Sequence, residues 1–94
     1  MKIVAVCGFG VGSSLLLKIS LDKAFRALGI DEEAMNTDIT SAKSITCDAI
    51  FTSVDMAEQL RAEVKVPVYA IKRYMDVSEV QTVLEECIAN YNAK

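Results

Sequence analysis

No histidine occurs in this chain of 94 residues. That absence removes the Cys-His and Ser-His-Asp catalytic arrangements, any His-ligated metal and the usual near-neutral general base. The three cysteines, Cys7, Cys47 and Cys87, are odd in number and far apart, with no C-x-x-C. Neither a disulfide framework nor a zinc ribbon is indicated, and a reduced, cytosolic protein is the expectation. No apolar run reaches the roughly 18 residues of a membrane span. Met1-Lys2 leads straight into a strand pattern, so no signal peptide is expected. Net charge is −3 without a long run of one sign, which leaves no basic face for a nucleic acid. No repeat, low-complexity tract or interdomain linker interrupts the sequence. One small domain over residues 1–94 is expected, and the 52% hydrophobic content is enough for its core.

The residues present organise around one stretch, Cys7-Gly-Phe-Gly-Val-Gly-Ser13-Ser14. Before it, Ile3 to Val6 is apolar throughout, as in a parallel strand covered on both faces. After it, a helix is predicted from about Ser13 to Leu28. Leu17, Leu21, Ala24 and Leu28 share one face of it, and Gly29 is a natural stop. Asp31 to Asp38 reads as a weaker edge strand centred on Ala34 to Thr37. Ile39 to Thr46 has room for a helical turn at most. Asp48 to Ser53 is a second strong strand, followed by a helix over Val54 to Val64 with Met56, Leu60 and Val64 on one stripe. Ser53 is a candidate N-cap there, with Asp55 competing.

Val66 to Ile71 is the last strand, and its single proline, Pro67, suits a strand's first residue or an edge. Lys72 to Met75 forms a loop. A closing helix runs from Asp76 to about Asn92, with Ser78 and Gln81 as a possible capping box. Val80, Val83, Leu84, Cys87, Ile88 and Tyr91 form its apolar face. The pattern gives an α/β fold, a four-stranded parallel sheet in the order 2-1-3-4 flanked by helices, of flavodoxin or Rossmann type. Ligands in such sheets bind at the carboxyl ends of the strands, near the switch in strand order. Cys7 falls there.

A glycine-rich turn at a helix N-terminus can aim several backbone N–H groups at one point, which makes an anion site. A thiol there has a lowered pKa and is nucleophilic. The plainer alternative is a buried, inert cysteine before a glycine turn. Three closely spaced glycines and two hydroxyls argue against it for Cys7, whereas Cys87 on an apolar helix face reads as core. The Walker loop ends in Gly-Lys-Ser/Thr, but here Ser13 follows Gly12 directly. The dinucleotide fingerprint G-x-G-x-x-G fits at Gly8 and Gly10 and fails at Ser13. A tyrosine-phosphatase loop, Cys-x5-Arg-Ser/Thr, needs its arginine where Ser13 stands, and without it loses much electrostatic stabilisation. A phosphocysteine held only by N–H groups and hydroxyls suits a carrier between two partners better than a hydrolase. A phosphatase or arsenate reductase, and a noncatalytic phosphate-binding or redox-sensing module, are the competing classes.

Ala5 to Ser14 followed by Leu15-Leu16-Leu17-Lys18 resembles the start of the IIB components of sugar phosphotransferase systems, most closely the ascorbate-specific group. The lactose/cellobiose and galactitol IIB proteins share the cysteine after the first strand. The Asp48 to Ser53 strand and Lys72-Arg73 after the last strand fall where the family has comparable segments. The resemblance implies a phosphatase-like IIB fold and a phosphotransferase without cofactor or metal. In it, Cys7 takes a phosphoryl group from a IIA phosphohistidine and passes it to the substrate bound by the membrane IIC transporter, which the likeness to the ascorbate-specific group implies is L-ascorbate. Gly8, Phe9, Gly10, Val11, Gly12, Ser13 and Ser14 would form the phosphate-binding loop. The protein would work in the cytoplasm, transiently at the inner membrane face. Leu15, Leu16 and Ile19 lie off the Leu17–Leu21 face, and either cover the sheet edge or form an apolar patch for IIA and IIC. Lys72 and Arg73 read as solvated charges, with acidic partner surfaces as the alternative.

Overall fold

The computed structural model describes residues 2–6 and 11–93. Strand β1 (Ile3–Val6) leads to helix α1 (Val11–Ala27), then β2 (Met35–Thr37), the short α2 (Ile39–Ala42), β3 (Ala49–Ser53), α3 (Val54–Glu63), β4 (Val68–Ile71) and α4 (Val77–Asn92). The sheet has the expected order, β2-β1-β3-β4, and every pairing is parallel. Parallel neighbours cannot be joined by a tight turn, so the chain returns over the sheet between strands.

The apolar runs of β1 and β3 are explained by their central positions. Ile3 and Ala5 join Ala49, Phe51 and Ile71 under α1 and α4, with Leu17, Leu21, Phe25, Val80, Leu84 and Cys87. Val4, Val6 and Ile50 face the other way, onto Ala42, Ala57 and Leu60 of α2 and α3. The alternation of side chains along each strand therefore builds two cores on one sheet. Phe51 and Tyr69 add a tilted ring contact with centroids 5.3 Å apart.

Helix α1 begins two residues before the expected Ser13, at Val11. It ends as predicted: Gly29 takes a φ of 74°, and the Ile30 N–H reaches back to the Phe25 carbonyl at 2.9 Å. Asp22 then fixes the return of the chain. One of its carboxylate oxygens accepts the Ala34 N–H at 2.8 Å, and the other pairs with Lys18 at 2.6 Å. Pro67 immediately precedes the edge strand β4, and its carbonyl accepts the Ile50 N–H at 2.9 Å, so its missing donor costs the ladder nothing. Arg61 of α3 covers part of that edge by donating to the Val68 carbonyl.

Two local expectations are corrected. The cap of α4 is Asp76, whose carboxylate accepts the Glu79 N–H, rather than a Ser78–Gln81 box. Glu79 reaches instead to the Lys72 N–H at the end of β4. Tyr91, expected on the apolar face of α4, is 44% exposed.

Replacing Leu84, which is fully buried, with alanine is expected to cost roughly 2–5 kcal/mol in urea unfolding. Leu16→Ala, at an exposed position, is expected to change stability by less than about 0.5 kcal/mol. Equal losses in the two variants would contradict the placement of these faces on α1 and α4.

Candidate functional site

The carboxyl edge of the sheet is where β1 and β3, side by side, each hand over to a helix. Val6 is the last residue of β1, and it pairs with Thr52 of β3. In the chain Cys7 follows Val6 directly, and α1 starts four residues later. Cys7, Gly8, Phe9 and Gly10 lie outside the described residues. Val11, Gly12, Ser13 and Ser14, expected in the phosphate-binding loop, form the first turn of α1. The first N–H groups of a helix have no partner within it, so this turn still offers backbone donors to an anion. Ser14 is fully buried.

A second helix starts at the same edge. Ser53 ends β3 and is the N-cap of α3, as expected, but its side chain makes no capping hydrogen bond. The hydroxyl oxygens of Thr52 and Ser53 are fully covered and have no hydrogen-bond partner among the described residues. An unpaired buried hydroxyl costs roughly 1–3 kcal/mol, so two in succession at this edge call for an explanation. The sequence reading considered Ser53 only as a cap and passed over Thr52. The available signal was a Thr-Ser pair closing an otherwise apolar strand at the point where the strand order reverses.

The third connection at this edge, from β4 to α4, is tied to α1. Ser20 is nearly buried and donates its hydroxyl to the Tyr74 carbonyl. That bond holds the Lys72 to Met75 loop against the helix. One turn before Ser20, Leu16 is 40% exposed, and Leu15 and Ile19 are exposed to a similar degree. They do not cover the sheet edge. With Val54 at the start of α3 and Met75 in the β4–α4 loop, both exposed, they leave apolar side chains on three elements that border this edge. Lys72 and Arg73 are exposed, in keeping with solvated charges.

The other cysteines sit in a different place and are chemically quiet. Cys87 is buried on α4, close to Asp48, Pro67 and Tyr69 at the amino end of the sheet. Burial pushes its thiol up to about 11, against a smaller opposing effect of the Tyr69 hydroxyl. Burial, and then the charge of Asp48, raises the Cys47 thiol. Among the described residues there is no cluster of three His, Cys, Asp or Glu side chains that could hold a metal. No helix among them is long and apolar enough to cross a membrane.

The sequence matches the family described as PTS system, lactose/cellobiose specific IIB subunit, over residues 2–86, so this chain belongs to the IIB family of the sugar phosphotransferase systems. It is similar to the ascorbate-specific PTS system EIIB component of Mycoplasma pneumoniae (strain ATCC 29342 / M129 / Subtype 1). The two are 27% identical over 90 residues, covering 94% of this chain and 95% of that protein. It shares its fold with the lactose-specific IIB component domain of the phosphoenolpyruvate:carbohydrate phosphotransferase system from Streptococcus pneumoniae. That superposition has a TM-score of 0.67 at 13% identity and covers 97% of each chain. The family likeness first carried by the segment around Cys7 is borne out.

Alkylation of the native protein with iodoacetamide checks the quiet thiols. The rate at Cys87 is expected to rise roughly tenfold per pH unit and to level off only near pH 11. A plateau at Cys87 near pH 8 to 9, read by peptide mass spectrometry, would contradict its burial.

Proposed function

We propose that the chain, residues 1–94 acting as one IIB-type domain, is a phosphoryl carrier whose acceptor is Cys7. The observation that supports this best is position. Cys7 directly follows a central strand at the reversal of strand order, four residues before α1 begins. That is where parallel α/β sheets bind ligands and where helix N–H groups favour an anion. Gly8, Phe9 and Gly10, with the first turn of α1 from Val11 to Ser14, would surround the phosphoryl group.

In the first step the Cys7 thiolate attacks the phosphorus of a phosphohistidine on a IIA partner. The S–P bond forms as the P–N bond breaks, and the electron pair returns to the imidazole. In the second step a hydroxyl oxygen of the substrate bound by the membrane IIC component attacks the same phosphorus. The S–P bond breaks, the thiolate leaves, and the hydroxyl proton passes to solvent. With no histidine on this chain, the phosphoryl donor comes from another molecule. With no arginine in the Cys7 to Ser14 segment, no side-chain cation there clamps the transition state of hydrolysis. The ascorbate-specific relative supports L-ascorbate as the substrate. Work at the inner membrane face follows from the need to meet IIC, and Leu15, Leu16 and Ile19 supply an exposed apolar surface for partners.

The test is transfer from labelled phosphoenolpyruvate through the general phosphotransferase proteins and a panel of IIA domains. Label is expected on Cys7 with an ascorbate-type IIA, with the acid–base lability of a thiophosphate, and none in Cys7→Ser. No label with any IIA would refute the carrier reading. Turnover of an aryl phosphate without a partner would favour a phosphatase.

A further inference from the structure

The β4–α4 loop, Lys72 to Met75, is fixed from three sides. The Lys72 N–H donates to a Glu79 carboxylate oxygen at 2.6 Å, the Asp76 N–H donates to the Arg73 carbonyl at 3.2 Å, and the Ser20 hydroxyl donates to the Tyr74 carbonyl. A loop already held in shape loses little conformational entropy when a partner binds. Its side chains remain available. Met75 is 73% exposed, more than any other large apolar side chain among the described residues, and methionine adapts readily to a partner surface. Lys72 and Arg73 are exposed and form no ion pair among the described residues. The Ser20 bond sets the loop against α1, where Leu16 stands one turn before Ser20 and Ile19 neighbours Leu16 on the helix surface. Exposed apolar side chains of two elements therefore flank one hydrogen bond.

The charge of this surface differs from that of the whole chain. A net charge of −3 repels a partner that carries phosphate. The segment from Cys7 to Ser14 has no lysine or arginine to offset it, and Lys18 of α1 is paired with Asp22. Lys72 and Arg73 are the unpaired cations that border the carboxyl edge. The carboxylates of Asp76 and Glu79 beside them each accept a backbone N–H. The exposed Asp38 and Asp55 belong to the starts of α2 and α3, which pack on the other face of the sheet. A phosphoryl group on a side chain carries roughly −1.5 to −2 charge at neutral pH. That charge arrives on the donor, whereas it is already on this chain when IIC is met. Attraction for a phosphorylated partner therefore singles out the donor.

We propose that Lys72, Arg73 and Met75, with Leu16 and Ile19 of α1, form the docking surface for the loaded donor, a IIA domain that carries phosphohistidine. The apolar side chains make contacts common to the loaded and the emptied donor, and the two cations favour the loaded one. The assignment rests on the carrier reading and goes beyond it in choosing the donor, rather than IIC, as the occupant.

The test follows label from phosphorylated IIA to Cys7 of the full chain, at rising IIA concentration and at several salt concentrations. Replacing both cations, Lys72→Gln with Arg73→Gln, is expected to lower the rate at limiting IIA roughly tenfold at low salt. It should flatten the fall of that rate with salt and leave the rate at saturating IIA unchanged. Met75→Ala is expected to raise the half-saturating IIA concentration by a factor on the order of five at every salt concentration. Lys65→Gln, at an exposed cation on the opposite end of the sheet, should change neither. Urea midpoints should match the wild type throughout, because the replaced side chains are exposed. Emptied IIA, added as a competitor, should inhibit the wild type and the double variant alike; a matching loss there would overturn the preference for the loaded donor. Wild-type concentration and salt dependence in both the double variant and Met75→Ala, with Cys7 labelled normally, would overturn the docking surface and leave the carrier reading standing. So would normal loading with slower passage of label from Cys7 to substrate in vesicles holding IIC, which would give the surface to IIC. Absence of label on Cys7 in the wild type would overturn both.

Discussion

The pairing of β1 with β3 is the constraint from which the rest follows. Ile3, Val4, Ala5 and Val6 are all fully buried, and their neighbours Ala49, Ile50 and Phe51 nearly so. A strand covered on both faces needs apolar side chains at every position and a layer of helices above and below it. Because the pairing is parallel, successive strands point the same way and the connecting helices run back. All strand ends then gather at one edge, and so do the starts of α1, α3 and α4. An anion site at that edge uses only what the topology already exposes, namely helix N–H groups with no partner.

Helix N-termini meet at this edge, beside the exposed Lys72 and Arg73 of the β4–α4 loop. The first turn of α1 contains no acidic residue, and that of α3 contains Asp55. The segment from Cys7 to Ser14 has neither lysine nor arginine. Neutral donors stabilise a phosphoryl group without the strong extra hold on a pentacoordinate transition state that a guanidinium supplies. Such a balance suits a group that must be released again. The distribution of thiols agrees with it. Cys87 and Cys47 sit where burial keeps them protonated, so they do not compete for the same chemistry.

Much of this was legible in the sequence because it rests on local pattern. Unbroken apolar runs identify β1 and β3 as central, and the weak runs around Met35 and Pro67 identify β2 and β4 as edges. Strand order follows. The Leu17–Leu21–Ala24 stripe gives the buried face of α1. What stayed hidden depends on contacts between distant residues. Leu15, Leu16 and Ile19 fit a covered or an open face equally well by spacing alone. The cap of α4 turns on where the backbone enters the helix, and Asp76, with a φ of −87° and ψ of 95°, stands outside it while Ser78 is already inside. The condition of the Thr52 and Ser53 hydroxyls is set by the absence of any partner among the described residues of neighbouring elements, which no local pattern records.

The central strands are short. With four residues in β1 and five in β3, at about 3.3 Å each, the carboxyl edge lies only about 13 to 17 Å from the opposite end of the sheet. Larger α/β domains have several layers of side chains between their ligand edge and their far side, and these absorb a change in volume. Here the core residues stand close to that edge. Phe51 supports the core and stands one residue from Thr52, and Leu17 fills the core and stands three from Ser14. A change of volume in the core is thus felt at the carboxyl edge within one to three residues along the chain.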